Sequence, residues 1–484
     1  MSAKRVAVSA AVLTLLACAG RASGVAGPSG RVQLDFRVRF AGHVEGVGLA
    51  LLSTREFGIA GKEPPVPAWE EPNLPGTFAI GLDADDPPTR NPFDANGNIH
   101  GRPEHEVSLH WDNLEVANAL SPVAFENGRW HDLRVAVRFE VGGAYVSVAV
   151  DGAPVYSDLF IAGLVPYPWR PAFGTHTGVG QGSCRYRLLR VVREGEPPAQ
   201  PEPDRRHAIG AAILTPDHQF EEQRAELPLS GRRAARIVAT LALGAPPGGI
   251  DPWDRAGSVY AWDDEGNRIE VFRFITPFGR PYTWKLDVTD YQSILRGSRK
   301  MGVSIGTWVK GWQVDVYLDY YWGIPEREAI RVTNLWSGDW EYGNPAGPLD
   351  ARFEPRLVTL DRRTTSAKLR LMVTGHGMSP NTDNAAEFMP AGRTATANGR
   401  CFENLLWTTD NYLNPCRPQG GTWKYDRAGW GPGAPVRPWD IDITGTARPG
   451  GLLHVTYKPT PYTNENAGKG RASHLVEGQL IEYR

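Results

Sequence analysis

Residues 418 to 433 read Pro-Gln-Gly-Gly-Thr-Trp-Lys-Tyr-Asp-Arg-Ala-Gly-Trp-Gly-Pro-Gly, a run with no room for a regular helix or strand. Glycine and proline fix the path of such a surface loop because they permit or forbid particular φ angles. Aromatic rings on a rigid loop offer flat faces suited to sugar rings, and Arg427 offers a forked donor for oxygen acceptors. The loop is therefore either a long connection with tryptophans folded beneath it or a sugar-binding surface.

The composition favours an all-β protein of several domains. A chain of 484 residues is long enough for about three domains, and 41% hydrophobic residues support real cores. The 54 glycines and 40 prolines indicate many turns, and no long stretch has helical periodicity. The formal charge of −2 gives no reason to expect nucleic acid or an anionic membrane as a partner.

The 418–433 loop and five further segments resemble the bacterial peptide-N-glycosidase F family, whose members are amidases that remove N-linked glycans from asparagine. The resemblance implies two adjacent eight-stranded antiparallel jelly rolls with the active site at their interface. It also implies N-glycosylated proteins or glycopeptides as substrates. The segments occur in the family's order over roughly residues 206–484 and are Asp251-Pro252-Trp253-Asp254-Arg255, Arg273 to Phe278, Leu286 to Tyr291, Thr374 to Gly377 and Ala385 to Phe388.

The resemblance also assigns candidate site residues. Asp254 matches the principal catalytic aspartate, and Glu387 matches a second acidic residue of the site. Such carboxylates can transfer protons without a metal when burial and neighbouring charges tune their pKa values. Trp430 is either a sugar-stacking ring or a buried anchor of the loop. Substrate-binding or wall roles are expected for Arg255, Trp308, His376, Arg427 and Trp430.

One position departs from the family's pattern. In Ser304-Ile305-Gly306-Thr307-Trp308, glycine stands where the family carries a third acidic residue that helps to bind the sugar core. Two functions of different class follow. The chain is either an exported, metal-independent amidase acting on N-glycans or a catalytically weak or silent surface protein that binds glycans. Asp254 and Glu387 favour the amidase, and Gly306 favours the binding protein.

The N-terminal 25 residues are expected to be a targeting segment. Lys4 and Arg5 precede an apolar run, Val6 to Ala17, which is too short to span a bilayer. The end of that run, Leu15-Leu16-Ala17-Cys18, resembles a bacterial lipoprotein signal in which Cys18 is lipidated, although Ala17-Cys18-Ala19 also suits ordinary cleavage. Both interpretations predict export, to the bacterial outer membrane, periplasm or cell surface as a lipoprotein, or as a secreted protein. Membrane attachment is expected only through the lipid.

Residues 30–193 show the alternation of half-buried strands. Val32 to Phe40 places apolar groups at every second position, and Asp151-Gly152 forms the turn of a hairpin. This region resembles a concanavalin-type lectin sandwich and is expected to bind carbohydrate. A polar loop within it is either a solvated surface or a calcium site built from hard oxygen ligands: Asp83, Asp85, Asp86, Asp94, Asn96, Asn98 and His100.

Residues 194–206 contain four prolines and are predicted to be a semi-rigid linker. The two jelly rolls are then expected at 207–345 and 346–484. In an exported chain, Cys401 and Cys416 are candidates for a disulfide worth about 3 kcal/mol. Cys184 is expected to be a buried free thiol. No cysteine or histidine pair has the spacing of zinc ligands, so we expect no structural zinc.

Overall fold

The computed structural model describes residues 29–484 except 43, 62–63, 65, 67, 85–104, 177–181, 230, 378–385 and 464–471. Cys18 and most of the predicted calcium loop lie outside the described residues. In the described part, the strands form six sheets, two in each of three consecutive units, so the all-β prediction is confirmed. Helix is confined there to short segments: α1 (Thr54–Phe57) and the 3-10 turns Thr289–Tyr291, Leu349–Arg352, Asn411–Leu413 and Thr444–Thr446. None of these helices has the length and apolarity to span a membrane.

The first unit, the N-terminal sandwich, pairs two five-stranded antiparallel sheets around one apolar core. Its strands are β1 (Arg31–Ala41), β2 (Gly46–Ser53), β3 (Phe78–Asp83), β4 (Glu106–Trp111), β5 (Leu114–Leu120), β6 (His131–Glu140), β7 (Gly143–Val150), β8 (Ala153–Ala162), β9 (Trp169–His176) and β10 (Ser183–Glu194). The sheet orders are β10-β1-β6-β7-β8 and β5-β4-β3-β2-β9. Apolar residues of β1 alternate into the core as the sequence predicts, and Asp151 and Gly152 make the expected β7–β8 turn with positive φ. Its concanavalin-type identity stays a prediction.

The outer face of the β5-β4-β3-β2-β9 sheet is partly covered by the chain itself. Trp69 lies so close to β9 that a Cβ on Gly174 would be 1.9 Å from its ring. A Cβ on Gly81 would likewise be 1.7 Å from the carbonyl oxygen of Glu70. These two positions require glycine because the backbone and ring of residues 69–70 press against the strands.

The linker is shorter than predicted and is attached to the first unit. β10 ends at Glu194 and β11 begins at Asp204, so the segment without strands is 195–203 rather than 194–206. Gln200 donates to Glu140 O at 2.8 Å and accepts from Gly142 N at 3.1 Å. These bonds hold the linker against the N-terminal sandwich.

The second unit is the middle jelly roll, with eight strands in two sheets. They are β11 (Asp204–Leu214), β12 (Phe220–Glu226), β13 (Ala234–Gly244), β14 (Ala256–Trp262), β15 (Arg268–Ile275), β16 (Tyr282–Asp287), β17 (Ser298–Ile305) and β18 (Trp312–Trp322). The sheet orders β11-β18-β13-β16 and β12-β17-β14-β15 join the first strand to the eighth and the second to the seventh, as a jelly roll requires.

The last jelly roll repeats the same topology. Its strands are β19 (Ala329–Glu341), β20 (Arg356–Thr359), β21 (Ser366–His376), β22 (Ala391–Ala397), β23 (Arg400–Leu406), β24 (Trp439–Asp442), β25 (Leu452–Pro459) and β26 (Ser473–Tyr483), in the orders β19-β26-β21-β24 and β20-β25-β22-β23. Because β19 pairs with β26, this unit begins at residue 329 and the boundary predicted at 345/346 is wrong. Gly323 and Pro325 stand between β18 and β19, and the prediction overlooked this break.

The two jelly rolls share a buried polar interface. Arg273 of β15 is fully buried and forms a bidentate ion pair with Glu270 at 2.7 and 2.8 Å. Its remaining amino group donates to Leu475 O at 2.7 Å in the last jelly roll. Ile481 and Tyr483 of β26 also pack into the core of the middle jelly roll. These contacts fix the facing surfaces on which the candidate site lies.

The predicted bridge between Cys401 and Cys416 is absent, since both are free thiols. Cys401 is exposed on β23, opposite Thr396, whereas Cys416 is buried in the loop that follows the 411–413 turn. Proximity in sequence misled the prediction because the strand carries Cys401 away from that loop. Cys184 is also free, as expected, and partly buried on β10; burial raises the pKa of its thiol to about 12.

Candidate active site

Arg427 lies between the two predicted catalytic carboxylates. Its Nη2 donates to Asp254 Oδ2 at 3.3 Å, and its Nε donates to Glu387 Oε1 at 3.4 Å. Asp254 belongs to the middle jelly roll, and Glu387 and Arg427 belong to the last one. The structure therefore brings together three residues that the sequence places up to 173 positions apart.

Asp254 is held by a loop organised around Asp251, a residue that the sequence analysis did not single out. Asp251 is fully buried and accepts hydrogen bonds from Trp253 N at 2.8 Å, from Arg255 Nε at 3.1 Å and from the Thr307 hydroxyl. Burial alone would raise its pKa, but these bonds outweigh burial and keep the pKa below its usual value. Asp251 thus ties the Asp254 loop to the end of β17.

Glu387 is fixed by backbone contacts on both sides. Its Oε2 accepts from Gly377 N at 3.3 Å, and its carbonyl oxygen accepts from Ala428 N at 2.9 Å. The preceding Ala386 adopts a φ of 69°, in the left-handed region that a residue with a Cβ rarely occupies. This turn directs Glu387 towards the loop of residues 418–433.

Arg427 is bonded to the two carboxylates and to its own loop, and the substrate contact expected for it stays a prediction. It is fully buried, and its five N–H groups all have protein acceptors. Besides the two carboxylates, these are Thr422 O at 2.7 Å, Thr422 Oγ1 at 2.8 Å and Tyr425 O at 3.1 Å. Its guanidinium also lies 4.7 Å from the centre of the Trp430 ring.

Trp430 is the buried anchor of the loop, which decides between its two predicted roles. Only 4% of it is exposed, and its Nε1 donates to Gly375 O at 2.6 Å. The His376 ring stacks on the Trp430 ring with their centroids 5.1 Å apart, and His376 pairs with Thr374 Oγ1 at 2.7 Å. Burial, with the charges of Arg273 and Arg427, lowers the pKa of His376 to about 3, so its ring is neutral and acts as a wall.

Two exposed tryptophans flank Asp254, the candidate catalytic residue. Trp308 is 68% exposed and lies over the guanidinium of Arg255 at 3.5 Å, and Trp253 is 52% exposed beside Asp254. Arg255 is buried and uses Nε for Asp251, but its Nη2 has no partner among the described residues. This side of the site therefore carries the aromatic faces and the spare donor that a sugar ligand needs. The sequence analysis assigned substrate-binding roles to Trp308 and Arg255 but none to Trp253.

Gly306 leaves open space where the family resemblance expects a carboxylate. A Cβ built there would have only Ala256 O nearby, at 3.9 Å, and the φ of Gly306 is not in the left-handed region. Its N–H donates to Ala256 O at 3.1 Å, two residues beyond Asp254. Neither backbone geometry nor packing therefore requires glycine here.

Both carboxylates have raised pKa values. Burial raises the pKa of Asp254 to about 7; the positive charge of Arg427 opposes this and the negative charge of Glu387 adds to it. Burial also raises the pKa of Glu387, again opposed by Arg427. Carboxylates with raised pKa values can exchange protons with substrate near neutrality. The arrangement suits hydrolysis by two carboxyl groups.

Among the described residues, two clusters of three metal-capable side chains occur, and both lie in the N-terminal sandwich rather than at this site. One is Glu45, Glu70 and His176, and the other is Glu71, Asp83 and Glu106. In the second cluster, Glu71 and Glu106 are already paired to Arg417. Of the predicted calcium ligands, only Asp83 is described.

The comparisons with known proteins agree with this geometry. Family models of the N-terminal and C-terminal parts of peptide-N-glycosidase F match residues 261–320 and 350–481. Peptide-N(4)-(N-acetyl-beta-D-glucosaminyl)asparagine amidase F from Elizabethkingia miricola is 30% identical over 246 residues, which are 48% of this chain and 69% of that protein.

Solved structures share the fold of the two jelly rolls. A crystal structure of peptide-N(4)-(N-acetyl-beta-D-glucosaminyl)asparagine amidase superposes with a TM-score of 0.51 at 23% identity, covering 58% of this chain and 95% of that one. The structure of PNGase F from Flavobacterium meningosepticum has a TM-score of 0.52, also at 23% identity and with the same coverage.

Proposed function

This chain belongs to the peptide-N-glycosidase F family, and on that premise we propose that it hydrolyses the glycosylasparagine amide bond and releases N-linked glycans from glycoproteins or glycopeptides. The observation that carries the proposal is the single buried guanidinium of Arg427 that contacts both Asp254 and Glu387 across the two jelly rolls. Arg427 brings two carboxyl groups with raised pKa values together in one site.

In the proposed reaction, ionised Asp254 takes a proton from the attacking water, and protonated Glu387 supplies one to the departing nitrogen. The water oxygen bonds to the amide carbon, and the carbon–nitrogen bond then breaks. The products are an aspartate side chain and a glycosylamine. Arg427 keeps both carboxyl groups in place, and Arg255, with Nη2 unpaired, is the candidate donor to a substrate oxygen. Both proton transfers are assigned to side chains of this site, and we propose that the reaction is independent of metal.

Exposed Trp253 and Trp308 support the part of the proposal that concerns the sugar. Their rings flank Asp254 and Arg255 and present the apolar faces on which a sugar ring can stack. They lie on the middle jelly roll, whereas the loop of residues 418–433 closes the other side. The glycan is therefore proposed to lie against the middle jelly roll.

We further propose that the protein is exported and that the N-terminal sandwich binds carbohydrate, which would concentrate the amidase on glycosylated surfaces. The export proposal rests on the apolar run before Cys18. A Cys18→Ser protein should leave the membrane fraction if lipid on Cys18 is the anchor. Unchanged fractionation would assign the segment to an ordinary cleaved signal peptide. Isolated residues 30–193 that bind no glycan on an array, with or without calcium, would contradict the carbohydrate role.

The decisive experiment uses the purified full chain and an N-glycosylated peptide. Mass spectrometry should find the released glycan and an aspartate in place of the glycosylated asparagine. Asp254→Asn preserves the shape of the side chain but removes the base, so the rate should fall about 10²–10⁴-fold. An Asp254→Asn variant with full single-turnover activity would remove Asp254 from the mechanism.

Gly306 supports the second candidate, a weak or silent glycan-binding protein. The wild type would then bind the glycopeptide without converting asparagine to aspartate. Binding measured by calorimetry together with an unchanged peptide mass would favour this alternative. Conversion at any steady rate that depends on Asp254 would exclude it.

A further inference from the structure

The loop that carries Arg427 is closed at its base. A Cβ on Gly433 would lie 2.9 Å from Cys416 Cβ, so the two ends of the loop are in contact. Gln419 Nε2 donates to Pro432 O at 2.8 Å and strengthens the same closure. Residues 416–433 therefore form a closed loop whose neck is at 416–419 and 432–433.

At this neck, the side chain of Arg417 extends from the last jelly roll and contacts the N-terminal sandwich. Its Nη1 donates to Glu106 Oε2 at 2.6 Å, its Nη2 to Glu71 Oε1 at 2.5 Å and its Nε to Glu115 Oε2 at 3.3 Å. Asn118 Nδ2 donates to the same Glu106 oxygen at 2.7 Å. One arginine thus contacts three carboxylates that lie more than 300 residues away in the sequence.

The contact is buried rather than a surface ion pair. The side chain of Arg417 is 18% exposed, and those of Glu106 and Glu115 are 2% and 8% exposed. Charge-assisted bonds of this kind are short and directional, so they fix the geometry of both partners. Since three carboxylates converge on one guanidinium, replacing Arg417 alone leaves uncompensated buried negative charge.

The neck is also fastened to the middle jelly roll. Arg280 Nη1 donates to Pro418 O at 2.8 Å, and Phe278 N donates to Gln419 Oε1 at 3.2 Å. The N-terminal sandwich also contacts the middle jelly roll directly, where Arg236 donates to Val141 O at 3.2 Å. All three units therefore converge on residues 417–419, eight to ten residues before Arg427.

We propose that Arg417 is a positioning residue for the amidase reaction, which rests on the proposed function. It anchors the loop of residues 418–433 to the N-terminal sheet and so fixes the position of Arg427 against Asp254 and Glu387. The N-terminal sandwich is then a structural part of the catalytic unit. Any sugar binding by the sandwich would be additional to this role.

The test compares full-length wild type with a neutral variant that carries Arg417→Met, Glu71→Gln, Glu106→Gln and Glu115→Gln. These changes nearly keep side-chain volume and remove all three carboxylates with the arginine, so the variant should fold. Hydrogen exchange of the amides in residues 420–433 should become about tenfold faster or more. The kcat should fall about ten- to a hundredfold with KM changed less than about threefold, because the loss is one of alignment.

A shift in the pH profile of the deglycosylation rate distinguishes a positioning role of Arg417 from a purely structural role. The positive charge of Arg427 lowers the pKa of Asp254, so a displaced Arg427 should move the acidic limb of the profile to higher pH. Arg417→Lys, which keeps the charge but not the fork, should recover only part of kcat. The control is Arg363→Gln, which removes an exposed ion pair with Asp361 and should change none of these readouts.

A folded neutral variant with wild-type exchange, kcat and pH profile would overturn the proposal. If the neutral variant does not fold, Arg417→Lys carries the same test, and a wild-type pH profile and exchange rate in it would count equally against the proposal. If wild type itself releases no glycan, the proposed function fails. The exchange of residues 420–433 then still decides whether Arg417 positions the loop.

Discussion

Arg273 of the middle jelly roll donates from Nη1 to Thr374 Oγ1 of the last jelly roll at 3.0 Å. Thr374 in turn contacts His376, which stacks on the Trp430 ring that lies against Arg427. A continuous line of buried contacts therefore runs from the interface between the jelly rolls to the candidate catalytic carboxylates. The alignment of the site depends on the alignment of the two units.

Replacing Arg273 should destabilise the protein strongly. Arg273→Met leaves the carboxylate of Glu270 buried without its cation, which costs about 3–5 kcal/mol in comparable buried pairs. We expect this loss in the free energy of unfolding measured by denaturant titration at neutral pH. Arg268→Met, on the same strand but exposed, should cost less than about 1 kcal/mol. Equal effects of the two changes would contradict the assigned importance of the interface.

The pH dependence of deglycosylation should follow Asp254. With its pKa raised to about 7, Asp254 is mainly protonated below that pH and cannot accept a proton from water. The kcat/KM should therefore rise with pH as Asp254 ionises near pH 7 and fall again as Glu387, the proposed acid, loses its proton, so the profile should be bell-shaped. A profile already flat between pH 5 and pH 8 would show that the base has an ordinary carboxyl pKa.

The same raised pKa predicts that Asp254 costs stability at alkaline pH. A carboxyl whose pKa is higher in the folded than in the unfolded state stabilises the fold when protonated, and this contribution is lost as the pH rises through about 7. Asp254→Asn should therefore be more stable than wild type at pH 8, with little difference at pH 4. Thermal unfolding at both values measures this. Lower stability of the variant at pH 8 would contradict the sign.

Gly306→Glu should increase the rate of glycan release. The space beside Gly306 and its ordinary φ allow a longer side chain, which would restore the carboxylate that the family resemblance expects there. The gain should be up to about a hundredfold if that carboxylate orients the substrate. Gly306→Gln has nearly the same shape without the charge and serves as the matched control. A folded Gly306→Glu protein with unchanged or lower turnover would contradict this interpretation of the gap.

Replacing Trp308 should change the KM for glycopeptide, whereas replacing Trp430 should change the stability of the fold. Trp308→Ala removes an exposed ring, so KM for glycopeptide should rise several-fold with little change in melting temperature. Trp430→Phe removes the bond to Gly375 O from a buried site and should cost about 1–3 kcal/mol of stability. Unfolding curves and steady-state kinetics on both variants check the difference. A destabilised Trp308→Ala protein with normal KM would reverse the assignment.

The sequence by itself determined the local elements and the chemistry they carry. Alternating apolar residues from Val32 to Phe40 located β1, which the structure places at Arg31–Ala41, because burial of one sheet face requires a period of two. The motifs around Asp254 and Glu387 identified the two carboxylates because each lies within a few residues of recognisable neighbours.

Only the tertiary structure decided what each side chain does. Trp308 and Trp430 are the same residue type, yet one is exposed and the other buried, and no local pattern distinguishes them. Arg427 was expected to bind sugar, and its acceptors include a carboxylate 173 residues away. No sequence pattern predicted a role for Arg417, because its partners lie in another unit of the chain. Burial and pairing depend on contacts between distant segments, and sequence order does not record those contacts.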